Sequence, residues 1–206
     1  MKVIEQKWEW MGNPIDYSAE LIESIGRTCY KSEDKISTGT ANKFVRGLIK
    51  SGHHSVIEHV SASVKFTTDR AVSHELCRHR LASYSQESQR YCAYNKDKFG
   101  NEITFIKPVF FDTYSPIYKC WLTSMSDSED SYFKLIDMGA STEEARTVLP
   151  NSTKTEIIMT ANIREWRHVI KLRTSYKAYL PIRQLMKDFL HNGLKVKFPV
   201  FFEDFE

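Results

Sequence analysis

The sequence predicts a mixed α/β protein of the α+β type, on three observations. Segments with helical spacing outnumber those with strand alternation. No internal repeat, low-complexity tract or Pro/Gly-rich linker divides the chain. Its 206 residues suit a single domain, 1–206, with a sizeable core.

Over residues 19–29 a helix is expected, with Leu21, Ile22 and Ile25 on one face. A second is expected over 40–50, where Phe44, Val45, Leu48 and Ile49 fall at helical spacing and Gly52 supplies the stop. Val60, Ala62, Val64 and Phe66 alternate with polar neighbours, the period of a half-buried strand. Asp69 then stands where an N-cap would, opening a helix to about Arg80 that would place Ala71, Glu75 and Arg78 on one face. Residues 81–94 are rich in Ser, Gln and Tyr without an apolar period. They read as an ordered loop beside a basic helix end, a good place for ligands. A long helix is expected over 116–138, ended by Gly139, and Ser141 with Glu144 resembles a capping box for a short helix through Arg146. Residues 157–159 suit a buried strand, Asn162 a helix cap, and Pro181 the first turn of a last helix to about His191. The loose alternation over 197–202 suggests a closing edge strand.

Hydrophobic residues at 41% and charged residues at 27% exclude a disordered chain. No apolar run approaches the roughly 20 residues needed to span a bilayer. Lys2, Glu5, Lys7 and Glu9 interrupt the start, which does not read as a signal peptide, so a cytoplasmic protein is expected. Cys29, Cys77, Cys92 and Cys120 lack CxxC spacing and read as reduced thiols, mostly small core residues. A formal charge of +3 is too small to imply nucleic-acid binding, and the placement of the arginines matters more. Arg78, Arg80 and Arg90 lie close together, and Arg146, Arg164, Arg167, Arg173 and Arg183 are spread over the last third.

The sharpest feature is Arg78-His79-Arg80, followed after seven residues by Ser88-Gln89-Arg90. Guanidinium forks capture phosphates and carboxylates in a planar, bidentate way. Serine hydroxyls and Gln amides read the edge of a base or sugar. Together they suit a phosphorylated, polar, aromatic ligand.

The run from Arg78 to Tyr91, RHRLASYSQESQRY, carries the Arg-His-Arg-x7-Ser pattern and resembles the flavin-dependent thymidylate synthases. The likeness extends to residues 26–30, 52–59, 74–76, 145–150 and 161–164, and to Leu172-Arg173, covering roughly 20–185. It implies helices packed around a mainly antiparallel sheet, a homotetramer with active sites between subunits, and FAD as cofactor. The implied reaction is reductive methylation of dUMP, with methylenetetrahydrofolate as one-carbon donor and NADPH as reductant. By the same resemblance His53, Ser55, Arg78, His79, Arg80, Gln86, Asn162, Arg164 and His168 contact FAD. Glu75, Arg78, Gln86, Glu87, Ser88, Gln89, Arg90 and Arg146 surround dUMP. Arg173 matches the arginine set against the uracil ring, where a permanently charged donor meets developing negative charge. With Gly100 and Gly139 isolated, no Gly-rich dinucleotide motif is present, so NADPH is expected to bind transiently against the flavin site. One departure stands out: where the family has Ala-Gln-x-Glu-Ile-Arg, this chain reads Ala178-Tyr179-Leu180-Pro181-Ile182-Arg183.

Other readings fit less well. His53, His54 and His59 have no acidic or cysteine ligand at a metal-site spacing, so no metal is expected. Cys77 and Cys92 flank the signature, but the family uses no enzyme thiol. Ser88 has no legible His-Asp partners. An ion pair or cap is expected for Glu58. A nucleic-acid module built on the arginines and tyrosines finds no known motif. A non-catalytic relative that keeps the fold is the alternative, and against it every signature arginine and Ser88 are present.

Overall fold

The computed structural model describes residues 1–14, 16–92, 94 and 100–206. It is a mixed α/β structure with a four-stranded, mainly antiparallel sheet and a separate two-stranded one. The strands are β1 (Lys2–Ile4), β2 (Lys7–Trp10), β3 (Ser61–Asp69), β4 (Ala82–Gln86), β5 (Thr104–Ile106) and β6 (Lys154–Asn162). The larger sheet has the order β2-β3-β6-β4. Among the described residues no helix is long and apolar enough to cross a membrane.

The chain divides into two compact units. The first comprises Met1–Lys7, Phe66–Arg78 and Ser85–Ile158. In it β1 and β5 pair in parallel, Val3 opposite Phe105. Helix α3 (Arg70–Leu76) opens on the Asp69 cap, whose side chain accepts from the Val72 amide at 2.7 Å. Helix α4 (Pro116–Asp137) begins on Ser115 with Pro116 in its first turn, and Gly139 at φ +95° follows its end. The capping box of Ser141 and Glu144 opens α5 (Thr142–Ala145). Ile103, Phe105, Met125, Tyr132 and Ala145 form the core of this unit.

The second unit comprises Trp8–Lys65, His79–Tyr84 and Met159–Glu206. Helices α1 (Ser18–Thr28) and α2 (Thr40–Lys50) pack together. Gly26 permits the approach, since a Cβ there would lie 2.6 Å from the Phe44 ring. Helix α6 (Ile163–Arg173) buries Ile163, Trp166, Val169 and Ile170, and the Trp166 indole donates to the Ala62 carbonyl at 3.1 Å. Helix α7 (Leu180–Phe189) runs into a π-helical turn, Leu190–Leu194, then α8 (Lys195–Lys197) and α9 (Pro199–Phe202). Phe189 meets Trp8, Trp10 and Trp166 edge to face, with ring centroids 5.1–5.3 Å apart.

Four expectations are corrected. The helix from Arg70 stops at Leu76, leaving Arg78, His79 and Arg80 outside it. The chain reverses there into β4, and the Tyr84 hydroxyl donates to the His79 carbonyl at 2.8 Å. β4 itself lies within the expected loop at 81–94, of which residue 93 is outside the described residues. It carries no apolar period because its half-buried positions include Tyr84 and Gln86, whose polar ends are hydrogen-bonded. The expected edge strand at 197–202 is helical, because Pro199 starts a turn and Val200, Phe201 and Phe202 are all buried. The cysteines are not core residues: Cys29, Cys77 and Cys120 are exposed, Cys92 is half-buried, and all are free.

Candidate active site

The site residues expected from sequence fall into two groups, one in each unit. In the first unit lie Glu75, Arg78, Gln86, Glu87, Ser88, Gln89, Arg90 and Arg146. The Gln86 amide nitrogen donates to the hydroxyls of Ser73 (2.9 Å) and Thr155 (3.2 Å). Ser73 is fully buried on α3, so the Asp69 cap and the end of β4 together fix this amide. Glu87 follows, and one carboxylate oxygen accepts from the Lys154 ammonium (2.9 Å) and the Glu156 amide (3.2 Å). Burial opposes the charge on Lys154, but the hydrogen bond and charge of Glu87, then those of Glu156, outweigh it and raise its pKa.

Ser88 opens a turn in which Tyr91 and Cys92 amides return to its carbonyl, at 3.2 and 3.0 Å. Its hydroxyl accepts from the Arg90 amide at 3.3 Å. The Arg90 guanidinium lies 5.5 Å from the Tyr91 ring centroid and 3.0 Å from Glu143. Arg146 approaches the same carboxylate oxygen at 3.9 Å, so two arginines expected around dUMP share one carboxylate. The Thr142 hydroxyl donates to the Arg90 carbonyl at 2.5 Å and ties α5 to this turn. Arg78 is exposed and Glu75 half-buried.

In the second unit lie His53, Ser55, His79, Arg80, Asn162, Arg164, His168 and Arg173. α2 ends in a Schellman arrangement: Gly52 at φ +74° donates to Ile49 and His53 to Leu48. That places exposed His53 immediately past the helix end, with Ser55 two residues on. Arg164 pairs with Glu58 at 2.5 Å. The Asn162 side-chain oxygen accepts from the Glu165 amide at 2.9 Å, so its cap role leaves the side-chain amide nitrogen as donor.

His79 lies deepest, at 4% exposure. Its Nε2 accepts from the Nε of Arg173 at 3.0 Å, and its Nδ1 lies 3.5 Å from a Glu165 carboxylate oxygen. Burial first, then the charges of Arg173 and His168, push the imidazole pKa down from 6.5 to about 4. It is therefore neutral at physiological pH. Its one proton sits on Nδ1, since Nε2 is accepting. Burial raises the Glu165 pKa, and His168 and Arg164 oppose that rise.

His79, Glu165 and His168 bring ligand atoms within 4.8 Å of one another. The Nε2 lone pair of His79 is already engaged by a guanidinium, and a second cation beside it would be repelled. His79 is thus joined to Arg173 by a hydrogen bond and stands within ion-pair distance of Glu165.

Sequence reasoning missed Glu165, and it missed how α6 extends its basic face. Arg164, Arg167, His168 and Lys171 recur at i, i+3, i+4 and i+7 and, with His54 and Phe205, line a cavity of about 320 Å³. The spacing was legible, since the residues follow helical period after a recognisable cap. The burial of a first-turn glutamate was not.

The family model described as "Thymidylate synthase complementing protein" matches residues 15–200. The chain belongs to the thymidylate synthase complementing protein family. Among relatives named flavin-dependent thymidylate synthase, that of Mycolicibacterium gilvum is 37% identical, over 96% of this chain and 83% of the relative. The Pyrococcus furiosus one is 33% identical over 81% and 68%. Of solved structures, a UMP/dUMP methylase from Streptomyces cacaoi bound with 5-Br dUMP superposes with a TM-score of 0.81. It covers 98% of this chain and 96% of that one at 22% identity, which speaks to the shared fold. Every segment of both units except Met1–Lys7 contributes residues to the thymidylate synthase complementing protein match.

Proposed function

We propose that this chain is a flavin-dependent thymidylate synthase that converts dUMP to dTMP. Methylenetetrahydrofolate is the one-carbon donor and NADPH the reductant of FAD. The observation that carries this is the family match over residues 15–200, which includes the whole Arg78–Tyr91 signature and Arg173.

The residues of the second unit suit FAD by their chemistry. Its diphosphate needs several cations, and the cavity on α6 is lined by Arg164, Arg167, Lys171 and two imidazoles. His53, Ser55, Arg80, Asn162, Arg164 and His168 would hold it, with Arg78, His79 and Gln86 contributing as the signature implies. When bound and reduced, FAD supplies the hydride that completes the methyl group.

The chain's own residues bind and orient dUMP. Arg90 and Arg146 take the phosphate, exchanging their shared Glu143 for it. Gln86, Glu87, Ser88 and Gln89 position the nucleoside, with Glu75 and Arg78 beside them, and Lys154 and Ser73 hold Glu87 and Gln86 in place. Arg173 places a charged donor where negative charge develops on the pyrimidine ring. The working form is a homotetramer whose active sites draw on more than one subunit, with residues 1–206 acting as one functional domain. Nucleic acid and membrane are not partners in this reaction.

The test is tritium release from dUMP labelled at C5, with FAD, NADPH and methylenetetrahydrofolate omitted in turn. Release that requires all three is expected. Release surviving without FAD and NADPH would point to a thiol mechanism and reopen Cys77 and Cys92. No release from a folded, flavin-binding protein would favour the non-catalytic relative.

A further inference from the structure

Arg173 closes α6, and three features of its surroundings bear on how it is aimed. Its Nε is bound to His79 at 3.0 Å, so one edge of the guanidinium is fixed and rotation about the side chain is restricted. The partner is an imidazole, which accepts at Nε2 only while its proton is on Nδ1. A carboxylate oxygen of buried Glu165 lies 3.5 Å from Nδ1. Glu165 lies in the first turn of the same helix, two turns before Arg173, with its backbone amide held by Asn162.

An ionised carboxylate only accepts, so it selects the Nδ1–H tautomer and leaves the Nε2 lone pair for Arg173. With the opposite tautomer, Nε2–H would meet Arg173 Nε–H donor to donor. The same logic fixes histidines that bind metals, where a carboxylate behind the ring sets the tautomer in front.

We infer that Glu165 is a positioning residue for Arg173, acting through His79: it holds the imidazole in the tautomer that fixes the Arg173 guanidinium. This rests on the proposed function, in which Arg173 faces the uracil ring. Neither Glu165 nor His79 need touch the pyrimidine for the effect to reach turnover, since small misplacements of a catalytic donor are costly.

The glutamine variant is the sharp probe. Glu165→Gln keeps the shape of the side chain, but its amide can accept from Nδ1–H or donate to bare Nδ1, so both tautomers become tolerated. Glu165→Asp keeps an acceptor-only group on a shorter arm. The holoenzyme would be prepared for wild type, Glu165→Gln, Glu165→Asp, Arg173→Ala and Glu165→Gln/Arg173→Ala, with flavin absorbance and assembly size as controls for folding. Tritium release would be measured as kcat and KM, and the Arg173 Nε–H resonance followed by 15N–1H TROSY spectra.

Glu165→Gln is expected to lower kcat roughly tenfold, with KM for dUMP changed less than about threefold, and Glu165→Asp to fall between it and wild type. In the Arg173→Ala background the same change should alter kcat less than about twofold, because the group it positions is gone. The Arg173 Nε–H resonance should shift or broaden in Glu165→Gln. Equal losses in both backgrounds, a Gln variant as active as the Asp variant, or an unmoved resonance would each overturn the positioning role while leaving the synthase reading intact. Near-wild-type turnover of Arg173→Ala would instead overturn the placement of Arg173 and this inference with it.

Discussion

Acidification should destabilise this protein through His79. The ring is 4% exposed, and burial, then Arg173 and His168, lower its pKa to about 4. In the unfolded chain the same imidazole takes up its proton near 6.5. Between those values the unfolded state binds more protons, so this contribution is complete above pH 6.5 and is lost as pH falls toward 4. One pKa unit corresponds to about 1.4 kcal/mol, so the loss between pH 6.5 and 5 is about 2 kcal/mol. Glu165 acts in the opposite sense, because burial raises its pKa and the folded state gains there as it protonates. Its protonation therefore opposes part of the loss. The assay is urea unfolding at fixed protein concentration, from pH 7 to 5, for wild type and His79→Gln. The glutamine cannot titrate but still offers Arg173 an acceptor. With a urea slope of about 2 kcal/mol per M, the wild-type midpoint should drop about 1 M further than the variant's. Parallel pH profiles would refute the claim that a buried neutral imidazole is part of the folded state.

Arg173→Ala should lower turnover by roughly 10²–10³, the usual loss for one preorganised electrostatic group; steady-state tritium release checks it. Gly193→Ala should destabilise, because its Cβ would lie 2.8 Å from both the Trp8 ring and the fully buried Phe189 ring. Overpacking costs about 1–3 kcal/mol and the helical preference of Ala returns about 1, so a Tm drop of a few degrees is expected by calorimetry. Asp69→Ala should cost about 1 kcal/mol by removing the acceptor of the Val72 amide. Burial raises the Asp69 pKa, so Asp69→Ser, which keeps the cap without the charge, should recover most of that loss in the same urea assay.

What was legible in the sequence was local. Asp69, Asn162 and the Ser141–Glu144 box announce helix starts because a cap and the amide it satisfies lie within a few residues. The interior strands β3 and β6 show alternation over much of their length, because one face is buried along each. β4 escaped because a strand whose inward groups are a tyrosine hydroxyl and a glutamine amide has no hydrophobic signal, only distant partners such as Thr155. β1 and β5 escaped for a related reason: each has three residues and pairs with a segment about a hundred positions away. The signature at Arg78–Tyr91 marked candidate ligand-binding residues, yet gave no sign that its histidine is buried between Arg173 and Glu165. That arrangement depends on a helix end and a helix start folding against one imidazole, which no short motif encodes.

The placement of these arginines explains how a chain of formal charge +3 can serve several anionic ligands. Arg90 and Arg164 are about half exposed, and each is paired with a similarly exposed glutamate, Glu143 or Glu58. Exposed pairs of this kind contribute about 0–1 kcal/mol. A phosphate offering bidentate, charge-assisted hydrogen bonds can displace such a carboxylate at little cost. Such pairs keep the guanidinium extended without holding it against a ligand. Arg173 is treated differently: its Nε donates to a buried, uncharged acceptor, the imidazole of His79. The neutral ring of His79 stands between Glu165 and this guanidinium, and the carboxylate behind it can select the tautomer that accepts from Arg173.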